Sequence, residues 1–462
     1  MALCVMLIAV YGCRKKEEEA TTSSSIDTAE QYAGGEGTSF DFSVNAFSNP
    51  MATLSSGGED SFVVGNSFFN KNWVIAPSST TGRDGLGPFF NSTSCSGCHS
   101  IDGRGRPPLA LNEVSGLLMR LSIPGTSTHG GPLADPSYGE QLSDHSIPGL
   151  DIEGSIQLTY TPINATYSDG TAYELLNPTY NLINLNYGSL SASALFSPRI
   201  AQQMPGLGLL EAVSESTVLS FADVNDANGD GISGKPNYVW DETKQANALG
   251  RFGWKANQPS LRQQTSAAFL GDIGINSTLF TGQNLTADQE TLYGGLANGG
   301  TPEVSDNILD NVIFYSSTLA VPGRRNMNDA EVLKGKQLFT TLKCNSCHIS
   351  SMETGTHPTI PELSHQKISP YTDLLLHDMG SALADGRPDF QATGSEWRTP
   401  PLWGIGLIQT VNGHTNLLHD GRARNVEEAI LWHGGEAANS KTNFTSLNAT
   451  QRAALIKFVN SL

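Results

Sequence analysis

Cys95-Ser96-Gly97-Cys98-His99 and Cys344-Asn345-Ser346-Cys347-His348 are two copies of one pentapeptide pattern. The pattern, C-x-x-C-H, is the attachment sequence of c-type haem. The chemistry requires that spacing, because two thiols add across the haem vinyls while the adjacent imidazole reaches the iron on the same face. Two covalently bound haems are the expected cofactors, with His99 and His348 as proximal ligands. The chain has 6 cysteines in all, and Cys4 and Cys13 lie in an apolar N-terminal run. A single zinc site built from both internal pairs is the competing use of these residues. A thioredoxin-like redox pair is weaker, since neither motif lies in a βαβ pattern.

Working outward from the second motif, Val332, Leu333, Lys336 and Phe339 recur at helical spacing ahead of it. The chain closes on Asn448-Ala-Thr-Gln451, a capping-box-like start, followed by Leu455, Phe458, Val459 and Leu462 on one stripe. A helix before the motif and another at the end match a cytochrome c domain. Phe62, Gly65, Phe68 and Phe69 give the first motif a similar preface, ahead of Asp84-Gly-Leu-Gly-Pro-Phe-Phe-Asn91. The long stretch between the motifs exceeds what such a domain needs. Within it, segments such as Ser155-Ile-Gln-Leu-Thr-Tyr160 alternate in a strand-like way between turns. The expected fold is therefore mainly α, with two cytochrome c-like haem domains at 59–321 and 322–462. The first is expected to carry long loop and β-ribbon insertions.

The composition is consistent with that division. A chain of 462 residues accommodates two or three domains. Only 16% of residues are charged, and 48 Gly with 23 Pro predict a loop-rich structure. The net charge of −18 repels phosphate backbones and argues against a nucleic-acid partner. Leu3 to Val10 forms a short apolar core, and Val10-Tyr11-Gly12-Cys13 approximates a lipobox, although the usual basic start is missing. Residues 1–13 thus read as a lipoprotein-type signal and 14–58 as a hydrophilic, flexible tether. The expected location is the periplasmic or cell-surface side, with a membrane attachment through Cys13.

Further stretches carry a family resemblance: Gly206-Leu-Gly-Leu-Leu-Glu211, Asp230-Gly-Ile-Ser-Gly234, Gly250-Arg-Phe-Gly-Trp-Lys255, Leu418-His-Asp-Gly421 and Trp432-His-Gly-Gly-Glu436. With Asp84 to Pro88 and the two haem motifs, their combination and order resemble the di-haem oxidoreductases related to bacterial di-haem cytochrome c peroxidases. The resemblance covers nearly everything after about residue 60. It implies an oxidoreductase with peroxidase-like chemistry, in which a C-terminal haem passes electrons to a reactive N-terminal haem. His433 falls where the peroxidases carry the distal Met of the C-terminal haem, and ligation by His would lower that haem's potential. The alternative is that His433 only hydrogen-bonds a backbone carbonyl. His419 reads as a domain-interface residue near the propionates.

No motif supplies a second ligand to the first haem, so its iron is expected to be open or weakly closed; Met119 reads as core packing. Trp254 begins a segment resembling the one that places a Trp between the haems, with a core Trp as the alternative. Peroxide cleavage needs an acid–base group on the open face. Asp272 lies two residues from the position of the family's Glu, and Glu211, in an apolar setting, is its rival. Asp226, Asn228 and Asp230, with the carbonyl of Ile232, space oxygen ligands as a calcium loop does, but the closing Glu is absent and an Asx-rich turn is the alternative. His129, His357 and His365 are expected to face solvent. The expected partners are a small electron donor, a cytochrome c or a cupredoxin, and peroxide or another small oxidisable or reducible substrate. Oxidation of a protein or organic substrate, and non-catalytic electron transfer, are the rival functions.

Overall fold

In the computed structural model, which describes residues 28–462, the helices that position the motifs are α1 (Ser56–Asn70), α2 (Leu207–Ala212), α3 (Leu261–Ala268), α4 (Asp306–Thr318), α5 (Ala330–Thr341), α6 (Val426–Trp432) and α7 (Ala449–Val459). The longer strands are β1 (Leu117–Thr126), β2 (Ser155–Thr166), β3 (Ala172–Ile183) and β4 (Leu195–Ile200). The same local device delivers both motifs. α1 crosses α4 at Gly65, where a Cβ would strike the Asn311 carbonyl oxygen and approach Tyr315 Cβ to 2.6 Å. α5 crosses α7 at Gly335, where a Cβ would strike the Ala454 carbonyl oxygen and approach Phe458 Cβ to 2.6 Å. One turn beyond each glycine a phenylalanine points to the motif. Phe69 lies 6.3 Å from the His99 ring, and Phe339 lies 6.2 Å from the His348 ring.

These helix pairs do not make the protein mainly α. Helix accounts for 29% of the described residues and strand for 19%, so the fold is mixed, with many small sheets. The ribbons expected as insertions in the first half are more extensive than that and occur in the second half as well, so helix does not dominate. β2 and β3 pair over their whole length, from Ser155 opposite Ile183 to Thr166 opposite Ala172. β1 lies between β4 and the short strand Pro132–Leu133. Two-stranded ribbons at Tyr238–Asp241 with Ala246–Leu249, and Leu376–Asp378 with Glu396–Arg398, complete the surroundings of the site. Such pairing satisfies the backbone of alternating, turn-punctuated sequence without a helix-length apolar stripe. No helix among the described residues is long and apolar enough to cross a membrane.

Tertiary packing joins the halves. Leu117, Met119 and Leu121 of β1 share one buried core with Val332, Phe339, Leu455 and Phe458. Met119 is fully buried there. Lys255 Nζ is sealed at the junction, 2.9 Å from Asp385 Oδ1, and donates to the carbonyls of Arg387 and Thr393. The β2–β3 hairpin straps the C-terminal unit: Tyr180 donates to Asp420, Tyr167 to Glu427, and Asp169 pairs with Arg452. Residues 28–58, expected to belong to the flexible tether, are instead packed. Phe47 is fully buried and Glu30 pairs with Arg324 and Lys336, because this segment carries apolar and charged groups with fixed partners. The signal at 1–13 and the start of the tether lie outside the described residues.

The Gly335 crossing has a direct consequence. Gly335→Ala places a methyl against main chain that cannot yield, so overpacking should cost about 1–3 kcal/mol. Denaturant unfolding measures this, and Lys334→Ala, on an exposed position of the same helix, should stay near wild type.

Candidate functional site

Cys95–Cys98 forms one helical turn, and the His99 side chain leaves it to bond the Gln202 carbonyl through Nδ1 at 2.7 Å. A carbonyl oxygen only accepts, so Nδ1 carries the proton and the Nε2 lone pair is left free. Burial lowers the His99 pKa and keeps the ring neutral. Close by, Asp102 accepts from Ser48 and Tyr315, and burial raises its carboxyl to about 6.

Asp272 belongs to the same site. It sits in a π-helical turn, Phe269–Ile273, that prolongs α3, a local geometry frequent at functional positions. Its carbonyl accepts from Asn91 and Ser92, the residues just ahead of the first motif. Its Oδ1 accepts from Gln141 Nε2 at 2.9 Å. Gln141 Nε2 also reaches Asn91 Oδ1 at 2.7 Å, and Asn91 Nδ2 donates to Asp144, which pairs with His145. Burial raises the Asp272 pKa, against the Arg120 charge and the Gln141 hydrogen bond. Burial also pushes the Cys95 thiol up to about 12 and raises Cys98, and the Asp272 charge adds to both shifts. The Asp272 main chain is thus tied to the residues just ahead of the motif.

The second site is a cavity of about 1720 Å³ of empty volume, counting its part open to solvent. Cys344, Cys347, His348 and His433 all line it. His348 Nδ1 bonds the Tyr371 carbonyl at 2.9 Å, and His433 Nδ1, at the end of α6, bonds the Ala429 carbonyl at 2.6 Å. Both rings thus repeat the disposition of His99. Burial pushes His348 down to about 4, with His433 contributing, and lowers His433 as well. His433 does hydrogen-bond a backbone carbonyl, and that bond fixes the tautomer a ligand needs.

Two buried arginines complete the cavity. Arg104 donates to the Asn416 and Leu418 carbonyls; Arg398 donates to the Gly253 and Thr399 carbonyls and to Gln202 Oε1. Neither forms an ion pair with a carboxylate among the described residues. Burial lowers Arg104 to about 9 and Arg398 to about 10. Gln202 Nε2 is buried with no partner. Unpaired buried cations are costly, so an anion belongs here. A haem fits: its propionates answer the arginines and the free amide, its ring the apolar walls, its vinyls the thiols, and its iron the imidazoles.

Trp254 is buried on the wall of this cavity. Its Nε1 donates to the Ile200 carbonyl at 2.8 Å, and the Arg104 guanidinium lies 5.1 Å from its ring. Ile200 is two residues from Gln202, whose carbonyl accepts from His99, so one short segment touches both sites. His419 also lines the cavity, stacked on Trp397 at 3.8 Å.

Other expected residues lie apart. Glu211, the rival acid, ends α2 and accepts from the Leu261 N–H at 2.7 Å, which caps the start of α3. His357, expected to face solvent, is buried; its Nδ1 accepts from the Ile360 N–H and its Nε2 lies 3.5 Å from Glu211. His129 and His365 are exposed. In the loop at 226–232, Asp226 accepts from Gly231, Asn228 from Asp230, and Asp230 from Ile232, as in an Asx-rich turn. Ile232 lines the second cavity. The four motif thiols do not assemble into one metal site among the described residues, which removes the zinc alternative.

Sequence reasoning missed Gln141, Arg104, Arg398 and His377. His377 follows the apolar run Leu374-Leu375-Leu376, a short-strand signal, but nothing in the sequence announces its partners.

No curated protein matches the chain. Among solved structures, hydrazine synthase of Kuenenia stuttgartiensis, pressurised with xenon, aligns over 90% of this chain and 94% of its own at 11% identity, with a TM-score of 0.32. A family model described as "di-haem oxidoreductase, putative peroxidase" matches residues 27–462, nearly the whole chain. The chain belongs to that di-haem oxidoreductase family.

Proposed function

We propose that the protein is an exported, lipid-anchored di-haem c-type oxidoreductase that reduces peroxide with electrons from a small donor protein. The observation that carries this reading is the unequal supply of imidazole. Two neutral rings with fixed tautomers line the second cavity, whereas the first site pairs one such ring with a buried carboxyl. Haem held at these motifs would supply iron able to change oxidation state and to take up peroxide. His348 and His433 would close the second iron with two strong ligands and commit it to electron transfer. Trp254 and the 200–202 segment shorten the path to His99.

At the first site Asp272 would take one peroxide proton and return it to the departing oxygen. Gln141 holds the carboxylate in place, and burial raises its pKa, which makes it a stronger base for the proton it takes and later returns. Reduction of peroxide to two waters consumes two electrons from the donor and two protons from solvent. Export and anchoring rest on the leader pattern ending at Cys13.

The decisive experiment is on the protein expressed with a haem-maturation system. Intact mass should show two haem additions, one on each motif. His433→Ala should abolish one bis-imidazole low-spin EPR signal while leaving the other haem's spectrum and both covalent attachments intact. An unchanged low-spin spectrum would reduce His433 to a structural residue.

Turnover tests the acid. Asp272→Asn keeps the shape and removes the proton transfer, so peroxide reduction should fall by about 10²–10⁴-fold with both spectra retained. Glu211→Gln should leave turnover near wild type. Loss in the Glu211 variant alone would move the acid there; undiminished turnover in both variants would place the acid elsewhere, and a wild type that transfers electrons without reducing peroxide would be a carrier.

We also propose calcium at Asp226, Asn228, Asp230 and the Ile232 carbonyl, on ligand chemistry and on the docking of this loop through Ser233 to Glu436. An ion that binds only the folded chain stabilises it. Calcium should therefore raise the melting temperature, and Asp230→Ala should remove that increment. Identical melting in calcium and in chelator would leave the loop a turn.

A further inference from the structure

His377 stands between two carboxylates. Its Nε2 lies 2.8 Å from Asp373 Oδ2 and its Nδ1 2.6 Å from Glu436 Oε2. Carboxylates accept, so both ring nitrogens must donate, and the ring is an imidazolium. Its side chain is 3% exposed. Burial opposes the charge, but the hydrogen bonds to Asp373, Cys347 and Glu436 outweigh it. Glu436 is fixed in turn by the Ser233 hydroxyl and amide and by the Asp378 amide, and the hydrogen bond and charge of His377, with these donors, hold its carboxyl down at about 2 against burial. Arg398, on a neighbouring strand, adds its positive charge to the surroundings of Asp373.

This cation faces the second site. His377 lines the same cavity as His348 and His433, and its Nδ1 is 3.5 Å from Cys347 Sγ. Cys347, Asp373 and His377 could gather a metal ion by distance alone. With both imidazole nitrogens donating and the sulfur joined to a vinyl, the ring and the thiolate that such an ion needs are already spent.

We infer that His377 is a potential-setting residue, a fixed cation at the thioether edge of the second haem that favours that haem's reduced form. The inference rests on the covalent attachment at Cys347 proposed above. Ferric haem gains one electron from the donor and its net positive charge falls by one. A buried cation beside it therefore repels the oxidised state more than the reduced one, and low local dielectric preserves the difference. Bis-imidazole ligation pulls the potential down, and the His377 charge offsets part of that fall.

The test is a spectroelectrochemical titration of each haem in the loaded protein, after intact mass has confirmed both attachments. His377→Gln leaves Asp373 and Glu436 beside the haem without their cation. It should lower the reduction equilibrium constant of the second haem about tenfold or more, ~59 mV for one electron, and leave the first haem unmoved. Glu436→Gln removes an anion and keeps the cation, so it should shift the second haem upward. A purely structural role would destabilise both variants and move both potentials the same way or not at all, which overturns the inference. Should His377→Gln fail to load the second haem, Glu436→Gln and Asp373→Asn carry the test: each must raise the potential, and a fall or no change in either refutes it. Absence of covalent haem at Cys347 in the wild type would sink the site reading and this inference together; two attached haems with unmoved potentials would sink this inference alone.

Discussion

A histidine whose Nδ1–H is given to a main-chain carbonyl has lost its choice of tautomer, and its Nε2 lone pair points wherever the backbone sends it. Three histidines of this protein, His99, His348 and His433, are held in that way. Each acceptor comes from a different part of the fold: Gln202 just beyond β4, Tyr371 in a loop of the C-terminal unit, and Ala429 within α6. The haem sites therefore depend on the placing of three carbonyl groups, and much of the surrounding architecture can be understood as what holds those carbonyls still.

The helix crossings do part of that work. Gly65 and Gly335 let two helix pairs approach to main-chain contact, and the phenylalanines one turn later, Phe69 and Phe339, reach the rings of His99 and His348. The β-ribbons do the rest. β4 ends at Ile200, whose carbonyl accepts from Trp254, and runs directly into Gln202. The β2–β3 hairpin, grown from the N-terminal half, grips Asp420, Glu427 and Arg452 of the C-terminal half. This grip, the shared core and the sealed Lys255–Asp385 pair fix one site relative to the other, which transfer of electrons over a set distance requires.

Charge is distributed unequally between the sites. The first is faced by carboxyls, Asp272 and Asp144, whose charges raise the Cys98 thiol. The second holds three cations, Arg104, Arg398 and His377, two of them with no carboxylate partner of their own, together with the Asp373 and Glu436 carboxylates that clamp His377 and raise the Cys347 thiol.

What was legible in the sequence was whatever the chemistry demands of near neighbours in the chain. Cys95 to His99 and Cys344 to His348 were legible because each is one contiguous run, and the c-type reading of it asks for two thiols and an imidazole within a single turn. The capped terminal helix and the helix before each motif were legible for the same local reason. His433 and Asp272 were reached only by resemblance, through their order along the chain. The ribbon at Ser155 to Tyr160 was legible from its alternation, but the extent of strand that makes the fold mixed was hidden, since short ribbons need only brief alternation and find their partners far away, as β1 does with β4. Hidden too were Gln202, Gln141, Arg104, Arg398 and the clamp of Asp373 and Glu436 around His377. In each of these the decisive contact joins residues distant in sequence: the amino-acid order supplies the donors and acceptors, and only the closed fold decides which of them meet away from water.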